Sequence, residues 1–236
     1  MSEPISLESI DVDGALRDAA EAVGFDRAQF LRRGAVTGGS FLALGGLAFP
    51  ASALADDDDD DDDRDEGLNS RDRSILNFAL TLEYLEAEFY ADALAANIIK
   101  DPLVLVFAQV TGQHEAEHVE ALKGLLGDRA VKKPTFDFSS ALKDEATFKA
   151  TAQVLEDTGV AAYAGQGPRI KRKSLVVAAL SIHSVEARHA AWIRFLNGGG
   201  AVDAPAEARP APVAFDQPLT KREVLAAVAA TGFITG

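Results

Sequence analysis

Two short motifs in the sequence each combine a glutamate with a histidine three residues later. They are Glu115-x-x-His118 and Glu186-x-x-His189. Because residues three apart lie on one face of a helix, the carboxylate and the imidazole of each motif can reach the same metal ion. A single motif of this kind is common as a salt-bridged surface pair. Two of them, each preceded by a helical segment with a further glutamate, predict a metal site.

The further glutamates are Glu83 and Glu156, and each of the four glutamates stands in the apolar stripe of a helical pattern. Burying a lone carboxylate is very unfavourable, and burying four close together is worse. One glutamate from each of two helices, with Glu-x-x-His from each of the other two, is the ligand set of di-iron and di-manganese bundles. The predicted ligands are Glu83, Glu115, His118, Glu156, Glu186 and His189.

The chemistry of these six side chains indicates which metal the site takes. Four carboxylates balance the charge of two divalent ions, and six ligands on two ions leave positions open for oxygen or peroxide. Carboxylate and imidazole without thiolate suit iron or manganese better than a closed structural zinc site. We therefore expect two iron ions, with manganese as the alternative and a degenerate, empty site as the competing interpretation.

Other residues near the motifs are candidates for contacts with the ligands. Tyr90 and Tyr163 each follow a stripe glutamate by seven residues. These tyrosines could form hydrogen bonds to ligands, take part in redox chemistry or simply pack in the core. His183 lies one turn before Glu186, where it either supports a ligand or packs in the core, and we expect His114 at the surface. The glutamates expected to point away from the stripes into solvent are Glu86, Glu88, Glu117 and Glu120.

Four helices have to position these side chains, and apolar periodicity places them along the chain. The helices are predicted from residue 71 onward, from 102 to 126, from about 144 to 165 and from about 174 to 197. The segment between the second and third helices contains Pro134 and no helical stripe, so we expect a long connection there. The tail over residues 198–236 is predicted to end in a short helix packed on the bundle, opened by the capping box that begins at Thr220.

The glutamates and the motifs recur at a nearly constant interval. Glu156 follows Glu83 by 73 residues, and the second Glu-x-x-His follows the first by 71. This repetition indicates that helices 1–2 and helices 3–4 are two copies of one helical hairpin. A pseudo-twofold axis between the copies would bring the four glutamates to one level of a four-helix bundle.

Composition excludes several other kinds of site. The sequence has no cysteine, which excludes a disulfide scaffold, an iron–sulfur cluster, a zinc finger and a thiol nucleophile. Eight consecutive aspartates at residues 56–63 supply more than half of the net charge of -14. Lysine and arginine form no basic patch of the kind that nucleic-acid binding needs, so we expect no nucleic-acid partner.

The first 55 residues have the pattern of an export signal. Arg32-Arg33 precedes the uncharged segment 34–54, which ends at the small-x-small cleavage signal Ala53-Leu54-Ala55. We predict a twin-arginine-type signal peptide over residues 1–55, an acidic disordered linker over 56–69, and an exported protein (periplasm, cell envelope or extracellular). The alternative is a single membrane anchor, but the glycines of the segment and its Ala-x-Ala end favour cleavage, which would leave no stable anchor.

The chain resembles the ferritin-like superfamily, and it looks closest to exported ferritin-like domains that include plant desiccation-related proteins. The resemblance covers about residues 70–197. It implies an all-α, antiparallel four-helix bundle with a long crossover between helices 2 and 3. It also implies that the six residues named above are the dinuclear ligands. The segments that carry it are residues 77–90, 114–118, 134–138, 155–165 and 184–191.

Three functions remain open from the sequence. The first is a metal-dependent redox protein that oxidises Fe(II) or disposes of oxygen or peroxide outside the cytoplasm. The second is a non-enzymatic, stress- or desiccation-related structural bundle in which any metal only stabilises the fold. The third is an enzyme similar to manganese catalase, which uses a similar ligand set. The pattern also leaves a homo-oligomer open.

Overall fold

The described part of the chain in this computed structural model comprises residues 68–199, 204–205 and 209–235, and it is almost entirely helical. The predicted all-α fold with four main helices is confirmed. The predicted signal peptide and the acidic linker up to residue 67 lie outside the described residues. The helices within the described part are α1 (Ser70–Ala95), α2 (Pro102–Leu126), α3 (Glu145–Gln166), α4 (Lys173–Asn197) and α5 (Lys221–Thr231).

Local sequence sets where these helices begin and end. The Asn69 side chain accepts a hydrogen bond from the Asp72 N–H at 2.9 Å and so caps α1. Asp144 forms a capping box with Thr147 at the start of α3. Gly127 ends α2 with a φ of 55°, a positive value that glycine adopts more readily than residues with a side chain. The predicted bounds of the second, third and fourth helices agree with the structure to within one residue.

The helices pack in two pairs. α1 packs most extensively on α2, and α3 on α4, so each predicted hairpin is a structural unit. Asp72 ties the pairs together at one end, because its buried carboxylate accepts the N–H groups of Lys171 at 2.9 Å and Arg172 at 3.1 Å. These bonds hold the segment that enters α4 against the first turn of α1.

The apolar core consists of two clusters, and on α2 and α4 the candidate glutamate lies between them along the helix. On α2, Phe107 and Ala108 belong to the first cluster, whereas Val119 and Leu122 belong to the second. Glu115 stands between these two sets. A polar layer therefore interrupts a bundle that is otherwise packed with aliphatic and aromatic side chains, and such a layer is unfavourable unless its charges are compensated.

The C-terminal tail packs on the same bundle. Val224 and Val228 of α5 are buried in the first apolar cluster. Before α5, the tail crosses α3 so closely that a Cβ added at Gly165 would stand 1.9 Å from the carbonyl oxygen of Leu219. After α5, Ile234 forms an antiparallel bridge with Phe136 in the long connection between α2 and α3. Glycine at position 165 is therefore needed for the tail to lie against the bundle.

Within the residues that the structure describes, no helix combines the length and the apolar character needed to cross a membrane.

Candidate metal centre

The four predicted glutamates meet in the middle of the bundle. Glu83, Glu115, Glu156 and Glu186 come one from each main helix, and all four side chains are fully buried. Helical periodicity is the reason, since each glutamate stands in the apolar stripe that its helix turns towards the core. His189 is 2% exposed, and His118 is largely buried beside them. The structure thus brings all six predicted ligands into one cluster.

Two overlapping groups of side chains in this cluster can hold a metal ion. Each group has ligand atoms that lie within 4.8 Å of one another. Glu115 and Glu186 belong to both groups, so these two glutamates are placed to bridge two ions. The first group is Glu83, Glu115, His118 and Glu186, and the second is Glu115, Glu156, Glu186 and His189.

The first group is arranged around one ring nitrogen. His118 Nδ1 lies 3.2 Å from Glu83 Oε2, 3.2 Å from Glu115 Oε2 and 3.1 Å from Glu186 Oε1. A single N–H cannot direct good hydrogen bonds at three carboxylate oxygens at once. A cation among these four atoms would satisfy all of them together.

The second group has the same form around the other motif histidine. His189 Nδ1 lies 2.9 Å from Glu115 Oε1 and 3.3 Å from Glu156 Oε2. The two oxygens of Glu115 therefore face different histidines, Oε2 towards His118 and Oε1 towards His189. This is the arrangement that a bridging carboxylate needs.

Two tyrosines fix the outer carboxylates across the hairpins. The Tyr163 hydroxyl donates to Glu83 Oε1 at 2.5 Å, and the Tyr90 hydroxyl donates to Glu156 Oε1. Each tyrosine thus holds the glutamate of the other hairpin, and each leaves the second oxygen of that glutamate facing a histidine. Of the roles considered for these tyrosines, the structure shows hydrogen bonding to the cluster, combined with burial.

His114 supports one of the two groups and corrects our expectation of a surface histidine. Its ring is partly buried and stacks on His189, and its Nδ1 lies 2.9 Å from His189 Nε2. When Nδ1 of His189 faces a metal, its Nε2 carries the proton and donates it to His114, which orients the ligand ring. The missed signal is the spacing of His114 and His118, because residues four apart share a helix face.

Glu86 corrects a second expectation, since it is not solvated. It is 3% exposed, because it follows Glu83 by three residues and therefore lies on the same face of α1. The Glu83-x-x-Glu86 spacing was the signal in the sequence. By contrast, Glu88 is partly exposed and binds Lys133 at 2.7 Å, as expected of a solvated face.

His183 is half-buried on α4, outside both groups of candidate ligands. Its Nδ1 has no hydrogen-bond partner among the described residues. Among the described residues, no hydrogen bond joins His183 to a predicted ligand.

Burial and mutual repulsion govern the protonation of this cluster. Burial raises the pKa of Glu115 to about 7, and burial followed by repulsion from Glu115 raises the pKa of Glu186 well above its usual range. Burial also acts to lower the pKa of His189, but hydrogen bonds and charges of Glu115 and Glu156 outweigh it and raise this pKa to about 10. The cluster therefore retains protons at neutral pH, and these are the protons that bound cations would replace.

In the first candidate group, the attraction between Glu83 and His118 outweighs the effect of burial on their pKa values. Burial acts to raise the pKa of Glu83, but the neighbouring His118 charge and its hydrogen bonds lower it overall. The same carboxylates hold the pKa of His118 well above its usual value, against the effect of burial. Glu83 and His118 therefore form an ion pair when no metal is bound.

Buried oxygens without good hydrogen bonds indicate whether the cluster suits a metal ion. Both oxygens of Glu186, Oε1 of Glu115 and Oε2 of Glu156 are buried and have no hydrogen-bond partner with good geometry among the described residues. Three of these four oxygens lie 2.9–3.3 Å from Nδ1 of His118 or His189 without forming a good hydrogen bond. Buried carboxylates whose oxygens are left in this way are rare in folded proteins because they are strongly destabilising. All of these oxygens belong to the two candidate groups, so the donor set fits metal ions.

A family model of the ferritin-like domain matches residues 71–199, which is more than half of the chain. The matched segment runs from the first turn of α1 to the end of α4 and contains all six predicted ligands. A comparison with curated proteins finds no match. On the strength of the domain match and the bundle that carries the buried cluster, the chain belongs to the ferritin-like domain family.

Proposed function

We propose that the protein binds two iron ions in the buried cluster and uses them to oxidise Fe(II) or to consume oxygen or peroxide. The observation that carries the proposal is the sharing of Glu115 and Glu186 by both candidate groups. Two shared carboxylates hold a pair of ions close together, which supports chemistry that takes electrons from both. When bound, the iron pair supplies the electrons that reduce oxygen or peroxide.

The residues of the chain have separate tasks in this proposal. Glu83 with His118 and Glu156 with His189 hold one ion each, and the shared glutamates hold the pair together. Four ionised carboxylates balance two divalent ions, so loading removes the repulsion that keeps protons in the cluster. The apolar clusters on both sides keep bulk water away and strengthen every charge interaction in the centre.

The direct test is metal content followed by a rate. Purified protein loaded with Fe(II) without oxygen should hold two iron ions per chain, measured by elemental analysis. After oxygen is added, loss of Fe(II) should be faster than in buffer alone, and His118→Ala and His189→Ala should each slow it. Glu88→Ala is the matched control, because Glu88 lies on α1 but binds Lys133 at the surface.

Other outcomes of this test support the alternatives. Two bound ions with Fe(II) loss no faster than in buffer would support the structural bundle in place of the redox protein. Manganese in protein purified from its native source, with peroxide breakdown, would support the catalase-like enzyme.

We also propose that the protein is exported by the twin-arginine route. The support is the Arg32-Arg33 pair, the uncharged segment that follows it and the Ala-x-Ala end of that segment. Replacing both arginines by lysine should leave unprocessed protein in the cytoplasm, detected by fractionation and immunoblotting. Normal processing of the double variant would rule out this route.

A further inference from the structure

Glu86 is a buried carboxylate that belongs to neither of the two candidate groups. It is 3% exposed on α1, one helical turn after Glu83. Among the described residues, no hydrogen bond or ion pair of Glu86 is found. A buried carboxyl without a partner is tolerated only as a protonated, neutral group or beside a cation that compensates its charge.

The carboxylate of Glu86 lies beside the shared glutamate Glu186. A Cβ added at Gly159 of α3 would stand 3.0 Å from Glu186 Oε2 and 3.3 Å from Glu86 Oε1. Both oxygens therefore lie against the same point of α3. Glu186 Oε2 is itself buried and has no hydrogen-bond partner among the described residues, and the Glu86 carboxylate lies against the same point of α3.

The internal repeat explains why this space exists. Glu156 follows Glu83 by 73 residues, and the same interval relates Glu86 to Gly159. The first hairpin thus carries a glutamate where the second carries the residue with no side chain. A side chain at position 159 would press on the Glu86 carboxylate and force it to shift, so the two residues are complementary.

We propose that Glu86 is a seventh ligand of the metal pair, which acts together with Glu186 on one side of the centre. This proposal rests on the dinuclear site proposed above. The added ligand is an oxygen donor and suits a hard cation such as iron or manganese. Because only one hairpin supplies such a residue, the two metal positions become unequal, and the position beside Glu86 holds its ion more tightly.

Co(II) is a suitable probe, because its visible absorption reports the number of ligands and its binding can be titrated. Wild-type protein should bind two Co(II) per chain in two steps of different affinity. Glu86→Gln keeps the size of the side chain but removes the charge. It should weaken the tighter step by at least about tenfold, the lower end of the effect of losing even an indirect partner of a ligand. The absorption intensity per Co(II) should rise as that ion loses a ligand.

Two further variants separate the role of Glu86 from general damage. Gly159→Ala places a methyl group between Glu86 and Glu186 and should weaken the same step, although alanine favours the helix itself. Glu88→Gln, two residues from Glu86 on an exposed face, should bind Co(II) as the wild type does. Circular dichroism should show that all three variants are folded.

The outcomes separate this proposal from the one on which it rests. If wild-type protein binds no Co(II), the dinuclear site itself fails. If it binds two ions and Glu86→Gln binds them with unchanged affinity, or with lower affinity and an unchanged spectrum, Glu86 is not a ligand. Three ions in the wild type and two in Glu86→Gln would also overturn the proposal, because Glu86 would then belong to a separate site.

Discussion

The two helical hairpins of this bundle, α1–α2 and α3–α4, carry the same side chains at the positions of the six candidate ligands. Glu83 corresponds to Glu156, and the hydrogen bonds from the two tyrosines cross between the hairpins in both directions. The motif histidines occupy matching positions on α2 and α4, and each faces a different oxygen of the shared Glu115. The hairpins thus contribute equally to the predicted ligand set.

The hairpins differ in the residues around those ligands. Glu86 in the first corresponds to Gly159 in the second, and His114 corresponds to Val185. Both chemically active residues of these pairs come from the first hairpin. A duplicated scaffold can thus keep the candidate ligands of its two halves alike while the residues around them differ.

The largest expected effect is the loss of thermal stability on metal removal, which tests the ligand set that both hairpins supply. Metal ions that bind only the folded protein add roughly 3–4 kcal/mol when their concentration is several hundred to a thousand times Kd. Chelation should therefore lower the Tm by roughly ten degrees, given a few degrees per kcal/mol for a domain of this size. Glu115→Ala should abolish most of this response in calorimetry, because it removes a ligand from both positions.

Glu88→Ala serves as the control for that experiment and should keep the full response. If chelated and metal-treated wild-type protein melt together, the cluster does not bind metal under those conditions and the shared-ligand account fails.

The second effect concerns the pH dependence of stability in the metal-free protein, which depends on the protons that the cluster holds. Burial, with repulsion from Glu83 and Glu156, raises the pKa of Glu115 to about 7 against the opposing effect of the histidines. Against the effect of burial, the carboxylates of Glu115 and Glu156 raise the pKa of His189 to about 10. Groups with raised pKa values stabilise the fold while protonated, and this contribution is lost as pH rises through the folded pKa. The Tm of metal-free protein should therefore fall by several degrees between pH 6 and pH 9.

Metal-loaded protein should not show this loss, because the ions replace the retained protons. Scanning calorimetry of both forms at several pH values checks the sign. A metal-free Tm that rises over this range would contradict the protonation described for the cluster.

The third effect asks whether the two tyrosines are equivalent. Tyr90→Phe and Tyr163→Phe each remove one hydrogen bond that orients a glutamate, and loss of such a bond weakens metal binding by about 10–100-fold. Because the bonds correspond across the hairpins, each variant should weaken one binding step to a similar degree in a Co(II) titration. If one variant weakened Co(II) binding strongly and the other did not, the two matching hydrogen bonds would contribute unequally to metal affinity.

The smallest effect should come from His114, where the hairpins differ. His114→Ala removes the acceptor of the His189 Nε2 proton and should weaken only one of two binding steps, by about tenfold. Val185→Ala, at the corresponding position of the second hairpin, is the matched control and should leave both steps unchanged. If His114→Ala weakened both binding steps equally, His114 would not act on the metal position of His189 alone.

Much of the architecture could be predicted from the sequence, because helix caps and apolar stripes are local signals. Pro102, Gly127 and the capping box at Asp144 fix helix ends within the reach of a few residues. The six candidate ligands followed from the stripe glutamates and the repeated motif. The meeting of these ligands in one cluster also depends on the packing of the two hairpins against each other, which the internal repeat had indicated.

The errors concern residues whose neighbours come from another helix. Glu86 was expected in solvent, and its burial depends on the space that Gly159 leaves on α3. His114 was expected at the surface, and its contact with His189 depends on how α2 meets α4. Periodicity within one helix cannot reveal such complementary pairs, although the Glu83-x-x-Glu86 and His114–His118 spacings gave a partial signal.

The most direct test of the central claim is anomalous diffraction at the iron absorption edge from crystals loaded with Fe(II) under anaerobic conditions. We predict two peaks about 3.5–4 Å apart, the usual separation in two-metal sites, with Glu115 and Glu186 both reaching each peak. A single peak at full loading, peaks away from these glutamates, or no peak would contradict a dinuclear centre in this bundle.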